Sequence, residues 1–213
     1  MKKRSDKREL MDLGPAYYSK KEYEECLQKL FLVGKYCGIH RDTYKLLRAI
    51  EPKTIVDIGC GDGAFLAAVA KKMPHTTCVG TEVSAEALAV AHKGENLTFL
   101  HQEGAVEADV IMTTLVLHHL PDEAISPFLH ELYSKAKKAV IINDLDRHFL
   151  AKLLFTLVSK PLFRNRLISH DGAISIERGF RKKELIAHIA KITQSYSIRW
   201  RFPFRWQVVL WKR

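Results

Sequence analysis

The chain has 213 residues, 47% of them hydrophobic and 27% charged, which is ordinary for a folded globular protein and excludes a disordered chain. No apolar run approaches the about 18 residues that a membrane span needs, and the basic start of the sequence lacks the apolar stretch of a signal peptide. We therefore expect a cytoplasmic protein with one main domain.

The formal net charge of +10 bears on the partners, since a basic surface attracts nucleic acid, anionic lipid or acidic substrates. The basic residues fall in several separate segments without an RNA-binding motif, which favours a solvated basic surface over a nucleic-acid track. The four cysteines form no C-x-x-C pair, so the sequence indicates neither a zinc site nor a disulfide framework, and we expect no metal.

The first 50 residues are predicted to be a helical cap. Apolar residues recur at helical spacing from Tyr23 to Tyr36, and a second helix is predicted from Asp42, a good N-cap, to Ile50. Pro52 ends this helical part. We assign residues 1–50 to an N-terminal helical cap and residues 51–213 to the main domain.

Strands and helices alternate in the main domain. Strands are predicted over residues 54–58, 77–82, 97–101, 109–114 and 139–143, with helices over 64–73, 85–92 and 121–136. Because parallel neighbours need helical crossovers, this order predicts an α/β fold with a parallel sheet covered on both faces. A further helix over 181–192 precedes two strands over 195–202 and 206–211, whose short join predicts an antiparallel hairpin.

The alternation breaks over residues 147–176, where we predict a helical insertion. Its apolar residues run from Phe149 to Ile168 and are interrupted by Pro161, which predicts two short helices with an apolar face. Four basic residues are interleaved with them: Lys152, Lys160, Arg164 and Arg166.

The most informative stretch is Thr54-Ile-Val-Asp57-Ile-Gly59-Cys60-Gly61-Asp62-Gly63. A β-branched strand leads into three glycines at alternate positions, which let the backbone turn tightly against a ligand before a helix begins. This pattern also fits a dinucleotide site, and Glu82 lies where a ribose-binding acid is expected in either case. Asp57 and Asp62 favour the cationic cofactor S-adenosylmethionine, since carboxylates would repel a pyrophosphate.

The stretch resembles the first motif of class I S-adenosylmethionine-dependent methyltransferases. Gly80–Ser84 is similar to the second motif, Phe99–Glu103 to the third, and Asp109–Asp122 to the fourth strand and its loop. The resemblance covers roughly residues 50–213. It implies a Rossmann-like sheet of seven mostly parallel strands with an antiparallel terminal hairpin and helices on both faces, S-adenosylmethionine as cofactor, S-adenosylhomocysteine as product, and no metal.

The resemblance also implies a set of cofactor contacts: Asp57, Gly59, Cys60 and Gly61 along the methionine part, Glu82 on both ribose hydroxyls, Val83 and Glu103 at the adenine, and Thr114 beside the transferable methyl. Alternatives stay open for two carboxylates. Glu82 could be a plain surface acid at a strand end, and Glu103 is longer than the aspartate usual in the family. Cys60 is read as a small turn residue, because its acidic neighbours would raise the pKa of a thiol.

A general base is needed where the acceptor must lose a proton. In some family members that methylate hydroxyls, a histidine and an aspartate at similar places serve as base and orienter, and the resemblance carries these roles to His118 and Asp144. The alternative for His118 is a packed or capping histidine. His119 is predicted to be structural, and His170-Asp171 to form a turn leading through Gly172.

The segment after the fourth strand narrows the acceptor. It contains no Asn/Asp-Pro-Pro-Tyr/Phe motif, so methylation of nucleobases or glutamine is disfavoured. The insertion predicts an apolar lid over a small, lipophilic or aromatic, quinone- or polyketide-like acceptor, or contact with an anionic membrane. Packing of its apolar face on the core is equally open. The basic charge leaves an RNA or protein methyltransferase as the second hypothesis, and a cofactor-binding or partner-binding module without catalysis as the third.

Overall fold

A computed structural model describes residues 1, 3–102 and 104–212. Its strands are β1 (Thr54–Ile58), β2 (Thr77–Glu82), β3 (Leu97–His101), β4 (Ala108–Thr114), β5 (Ala136–Leu145), β6 (Tyr196–Arg201) and β7 (Arg205–Trp211). They form one sheet in the order β3-β2-β1-β4-β5-β7-β6. The pairs among β1 to β5 are parallel, whereas β7 runs antiparallel to β5 and β6. The predicted Rossmann-like fold class is confirmed.

Helices cover both faces of the sheet: α1 (Lys20–Tyr36), α2 (Ile39–Ile50), α3 (Ala64–Lys72), α4 (Ala85–Ala89), α5 (Asp122–Lys135), α6 (Phe149–Phe163), α7 (Arg166–Arg178) and α8 (Lys182–Ile189). Successive strand residues point to opposite faces, so the core divides into two clusters. One includes Leu129 of α5 and Leu185 of α8, and the other includes Leu47 of α2 and Leu66 of α3. None of the helices formed by the described residues is long and apolar enough to cross a bilayer.

Several element boundaries differ from the prediction. The second helix begins at Ile39 because Gly38, with φ of 76°, supplies the left-handed residue between α1 and α2. Asp42 therefore lies inside the helix, where its carboxylate accepts a hydrogen bond from the buried Arg205 guanidinium at 2.5 Å. Strand β5 extends beyond residues 139–143, because pairing with β7 continues to Leu145 and pairing with β4 reaches back to Ala136.

The insertion forms two longer helices than expected, and two predictions are wrong. Pro161 does not end the first helix but lies in the last turn of α6. Only two residues of the helix follow it, so the missing amide of the proline disturbs little of the helix. His170 and Asp171 are not in a turn but inside α7, whose N-cap Asn165 accepts a hydrogen bond from the Ile168 amide at 3.1 Å. Gly172 permits this packing, since a Cβ there would lie 2.3 Å from Cζ of Phe155 on α6.

Residues 4–13, here called the N-terminal strap, lie across α7 and a short 3-10 helix (Leu117–His119). The amides of Leu10 and Met11 donate to the Asp171 carboxylate at 2.9 and 3.1 Å. The Arg4 guanidinium donates to the carbonyl oxygen of His118 at 3.0 Å. The predicted division of the chain at residue 50 stays a prediction, but the strap is joined directly to elements of the main domain.

Candidate active site

The site residues gather where the strand order reverses, between β1 and its neighbour β4. Ile58 at the end of β1 is level with Thr113 of β4, so the loop after β1 faces the end of β4. In open α/β sheets, ligands bind in the crevice outside the carboxyl ends of the strands at this kind of reversal. The fold therefore places the glycine stretch, Glu82 and Thr114 around one crevice.

The loop after β1 needs its glycines. Gly59, Gly61 and Gly63 have φ of 69°, 59° and 69°. These left-handed values are costly for other residues, and space is lacking too. A Cβ on Gly59 would lie 2.5 Å from Val116 Cγ2, and a Cβ on Gly63 would lie 2.1 Å from Phe99 Cζ. Glycine is therefore required at both positions by the backbone conformation and by the packing of Val116 and Phe99, and the predicted contact of this loop with a cofactor stays a prediction.

The Glu82 carboxylate lies at the end of β2 and binds the glycine loop. Its Oε2 accepts from the Gly61 amide at 2.9 Å, and its Oε1 accepts from the amides of Val83 and Ser84, each at 2.9 Å. A carboxylate offers about four acceptor positions, so contacts with two ribose hydroxyls would displace at least one backbone donor. Val83 beside it is 63% exposed, an open apolar surface next to the crevice.

Asp57 is buried under the loop. Burial, reinforced by the charge of Glu82, raises the pKa of its carboxyl to about 8. A cationic group placed here would favour the ionised form of the Asp57 carboxyl.

Cys60 packs its sulfur against Gly80, where a Cβ would lie 2.6 Å from it, and burial together with the charge of Asp57 raises the pKa of its thiol. This environment is that of a turn residue and not of a nucleophile.

Thr114 ends β4 at the crevice, and its hydroxyl oxygen is buried with no hydrogen-bond partner among the described residues. A buried hydroxyl without a partner is costly, so this atom is available to a bound ligand. Together with the glycine loop, it fits the polar end of a cofactor. Glu103, predicted at the adenine, lies outside the described residues.

The structure brings His118 and Asp144 together. His118 lies on the 3-10 helix after β4, and Asp144 lies near the end of the neighbouring β5. The imidazole Nδ1 is 2.8 Å from Asp144 Oδ1, and both residues are buried. Although burial alone would raise the pKa of Asp144, the charge and hydrogen bond of His118 bring it below its ordinary value. An ionised carboxylate only accepts hydrogen bonds, so Nδ1 carries a proton, and in the neutral form of the ring the lone pair is on Nε2.

The strap adds a carboxylate that the sequence analysis missed. Glu9 Oε1 is buried without a hydrogen-bond partner among the described residues and lies 3.7 Å from His118 Nε2. Its Oε2 lies 3.9 Å from His119 Nε2, while His119 Nδ1 bonds to Asp12 at 2.9 Å. Burial raises the pKa of Glu9, partly offset by the two histidines. Nothing in the spacing of Glu9 and Asp12 signalled this, because the contact spans more than half of the chain.

A family model described as a methyltransferase domain matches residues 35–185. The chain belongs to this family of methyltransferase domains. No curated protein sequence matches it. The family match supports the resemblance to class I methyltransferases inferred from the glycine stretch, which is thereby confirmed.

Solved structures share the fold of this methyltransferase domain. The plantazolicin methyltransferase BpumL in complex with SAH is 15% identical, with a TM-score of 0.69 over 91% of this chain and 90% of that one. Magnesium protoporphyrin IX methyltransferase from Synechocystis PCC 6803 with bound SAM is 15% identical, with a TM-score of 0.63 over 98% and 100%. Human N-acetylserotonin methyltransferase in complex with SAM is 16% identical, with a TM-score of 0.67 over 92% and 57%.

Proposed function

We propose that this methyltransferase transfers a methyl group from S-adenosylmethionine to a hydroxyl of a small, lipophilic or aromatic acceptor. The family match and the glycine loop at the strand reversal support the cofactor. The buried His118–Asp144 pair, at 2.8 Å, carries the assignment of a hydroxyl acceptor. A hydroxyl must lose a proton on methylation, and this pair has the arrangement of an oriented base.

The cofactor-binding residues act by position. The glycine loop offers its backbone to the methionine part of S-adenosylmethionine. Asp57, buried under this loop, places a carboxylate toward the ammonium group of the cofactor. Glu82 exchanges a backbone donor for the ribose hydroxyls, and Val83 offers its exposed side chain to the adenine. When bound, S-adenosylmethionine supplies a methyl group already activated on a sulfonium. These residues therefore only have to align it.

The catalytic residues act on one proton. Asp144 holds His118 through Nδ1–H, which fixes the ring and leaves the Nε2 lone pair for the acceptor hydroxyl. Nε2 would take the hydroxyl proton while the hydroxyl oxygen accepts the methyl group, which a bound cofactor would supply with its thioether as the leaving group. The imidazolium that forms is stabilised by Asp144, and Glu9 adds a second carboxylate at 3.7 Å.

The proposed acceptor is lipophilic, of the quinone or polyketide type, because the apolar helix α6 is predicted to be a lid, and the exposed apolar side chains of α6 also suit a peripheral contact with an anionic membrane. An RNA acceptor is less well supported, because part of the positive charge is used inside the protein. Arg147, Arg178 and Arg205 are all buried and make internal hydrogen bonds or ion pairs. The proposal places the reaction in the cytoplasm, as the sequence predicts.

Labelled methyl transfer tests the proposal. The protein is incubated with methyl-labelled S-adenosylmethionine and a cell extract, and the product is identified by mass spectrometry. We expect label in an organic-soluble methyl ether, lost with His118→Ala and kept with the exposed control His75→Ala. Label in RNA or protein would support the second hypothesis. Cofactor binding without any labelled product would support a module without catalysis.

A further inference from the structure

Helix α6 presents an unusual surface. Of its 15 residues, only Ala151 and Ser159 are buried. Seven large apolar side chains are between 42% and 67% exposed: Phe149, Leu150, Leu153, Leu154, Leu157, Val158 and Leu162. They recur in adjacent pairs every four residues, so they form one stripe along the helix. A contiguous exposed apolar stripe of this kind marks an interaction surface.

The charged residues within the segment that carries the apolar stripe are all positive. No aspartate or glutamate occurs between Asp146 and Asp171, whereas Lys152, Lys160, Arg164 and Arg166 lie in this segment. Lys152 and Arg166 are held by Glu177 and Glu22. Lys160 and Arg164 make no ion pair within the part of the chain that the structure describes. They are consequently available to an anionic partner.

A groove between α6 and α7 lies beside the stripe and is lined by basic side chains of both helices. Its lining includes Lys160, Arg164, the imidazole of His170 and Lys7 of the strap, and its carboxylate, Glu177, is paired with Lys152. Guanidinium and ammonium donors around one concave surface suit a phosphate. The stripe and the groove therefore match the two parts of an anionic phospholipid, its acyl chains and its headgroup phosphate.

We propose that α6 docks on an anionic phospholipid bilayer, with its apolar stripe among the acyl chains and headgroup phosphates in the groove lined by Lys160 and Arg164. An amphipathic helix with basic residues at its polar edge binds such surfaces by apolar burial together with electrostatic attraction. The inference rests on the proposed function for its biological use, since docking would bring the enzyme to a lipophilic acceptor. Binding itself requires neither cofactor nor turnover.

Vesicle flotation with the full chain tests the proposal in the absence of cofactor. Vesicles of phosphatidylcholine alone are compared with vesicles that also contain phosphatidylglycerol. We expect the protein to float with the anionic vesicles and weakly with the neutral ones. Lys160→Glu with Arg164→Glu should remove the anionic preference, on the order of fivefold for each charge lost. Leu154→Glu with Leu157→Glu should abolish binding to both vesicles.

Matched variants separate docking from general effects. Lys182→Glu with Lys183→Glu makes the same charge change at exposed positions of α8, and Leu32→Glu makes the same polar change at an exposed leucine of α1. Both should float like the unmodified protein. Absence of flotation with anionic vesicles would overturn the proposal, as would equal flotation of all variants. A solution dimer that dissociates with Leu154→Glu and Leu157→Glu and does not float would show a second copy on the stripe and also overturn it.

Discussion

The carboxylate of Glu9 lies 3.7 Å from Nε2 of His118, the ring nitrogen that the proposed reaction needs. His118 is only 2% exposed, so an acceptor hydroxyl reaches Nε2 only when the strap moves or the acceptor enters beneath it. The strap thus covers the proposed base. Its attachment to α7 becomes a determinant of access to the site.

Loosening the strap should be measurable without any substrate. Asp171→Asn removes one carboxylate acceptor from the Leu10 and Met11 amides, which are now bound at 2.9 and 3.1 Å. Loss of one charge-assisted hydrogen bond costs about 1.5 kcal/mol or more, that is, about tenfold in the local opening equilibrium. Hydrogen exchange at these two amides should accelerate accordingly. Asp6→Asn, at an exposed position of the same strap, should leave it unchanged, and equal exchange in both variants would contradict the attachment.

The base assignment predicts a separation of binding from turnover. His118→Ala should lower kcat by about 10²- to 10⁴-fold, the usual contribution of a general base, with the cofactor affinity unchanged. Asp144→Asn should also lower kcat, because an amide can hold the ring in the wrong tautomer. His119→Ala is the control, since this ring bonds to Asp12 and not to Asp144. Turnover that falls equally in His118→Ala and His119→Ala would contradict the assignment.

Burial of Asp57 should make the stability pH-dependent in a defined direction. Its carboxyl has an ordinary pKa of 3.8 and a folded pKa of about 8, so the folded state binds more protons between these values. Stability from this group is present below the ordinary pKa and is lost as the pH rises through the folded pKa. Asp57→Asn removes this loss and should raise the Tm at pH above the folded pKa, by about 4 °C or more, with little change below the ordinary pKa.

Asp62→Asn serves as the control, because its side chain binds the Ala64 amide at 3.1 Å and an amide oxygen can do the same. The measurement is thermal unfolding across pH for the three proteins. Parallel Tm curves for the unmodified protein and Asp57→Asn would contradict the elevated pKa.

Metal removal should not affect methyl transfer. Glu9, His118 and His119 place ligand-type atoms within 4.8 Å of one another, a spacing that a cation could occupy. The proposed chemistry instead needs a free Nε2 on His118. Activity should therefore survive EDTA, and added Zn²⁺ should inhibit by taking that lone pair. Loss of activity in EDTA with recovery in Zn²⁺ would contradict the role of His118 as a base.

The sheet and its cofactor loop could be predicted because their signals are local. A β-branched strand followed by Gly59, Gly61 and Gly63 reflects backbone requirements that the structure shows directly as positive φ and absent Cβ space. Likewise, His118 follows β4 and Asp144 lies near the end of the neighbouring parallel strand β5, and the carboxyl ends of neighbouring parallel strands meet at one edge of the sheet.

The parts of the structure that the sequence did not predict correctly depend on contacts between residues far apart in the chain. The length of α7 depends on Phe155 filling the space beside Gly172, and a Gly preceded by His-Asp resembles a turn when this partner is unknown. The contacts of the strap could not be predicted for the same reason. Glu9 meets His118 through the tertiary fold, far apart in the sequence, so no local periodicity or spacing could reveal the contact.

Cofactor binding is the central claim, and isothermal titration of the protein with S-adenosylmethionine tests it most directly. We predict binding of one cofactor per chain, weakened in Glu82→Ala by about 2 to 4 kcal/mol through loss of two charge-assisted hydrogen bonds. The exposed control Glu107→Ala should bind like the unmodified protein. Absence of binding, or the same affinity in Glu82→Ala, would contradict the account.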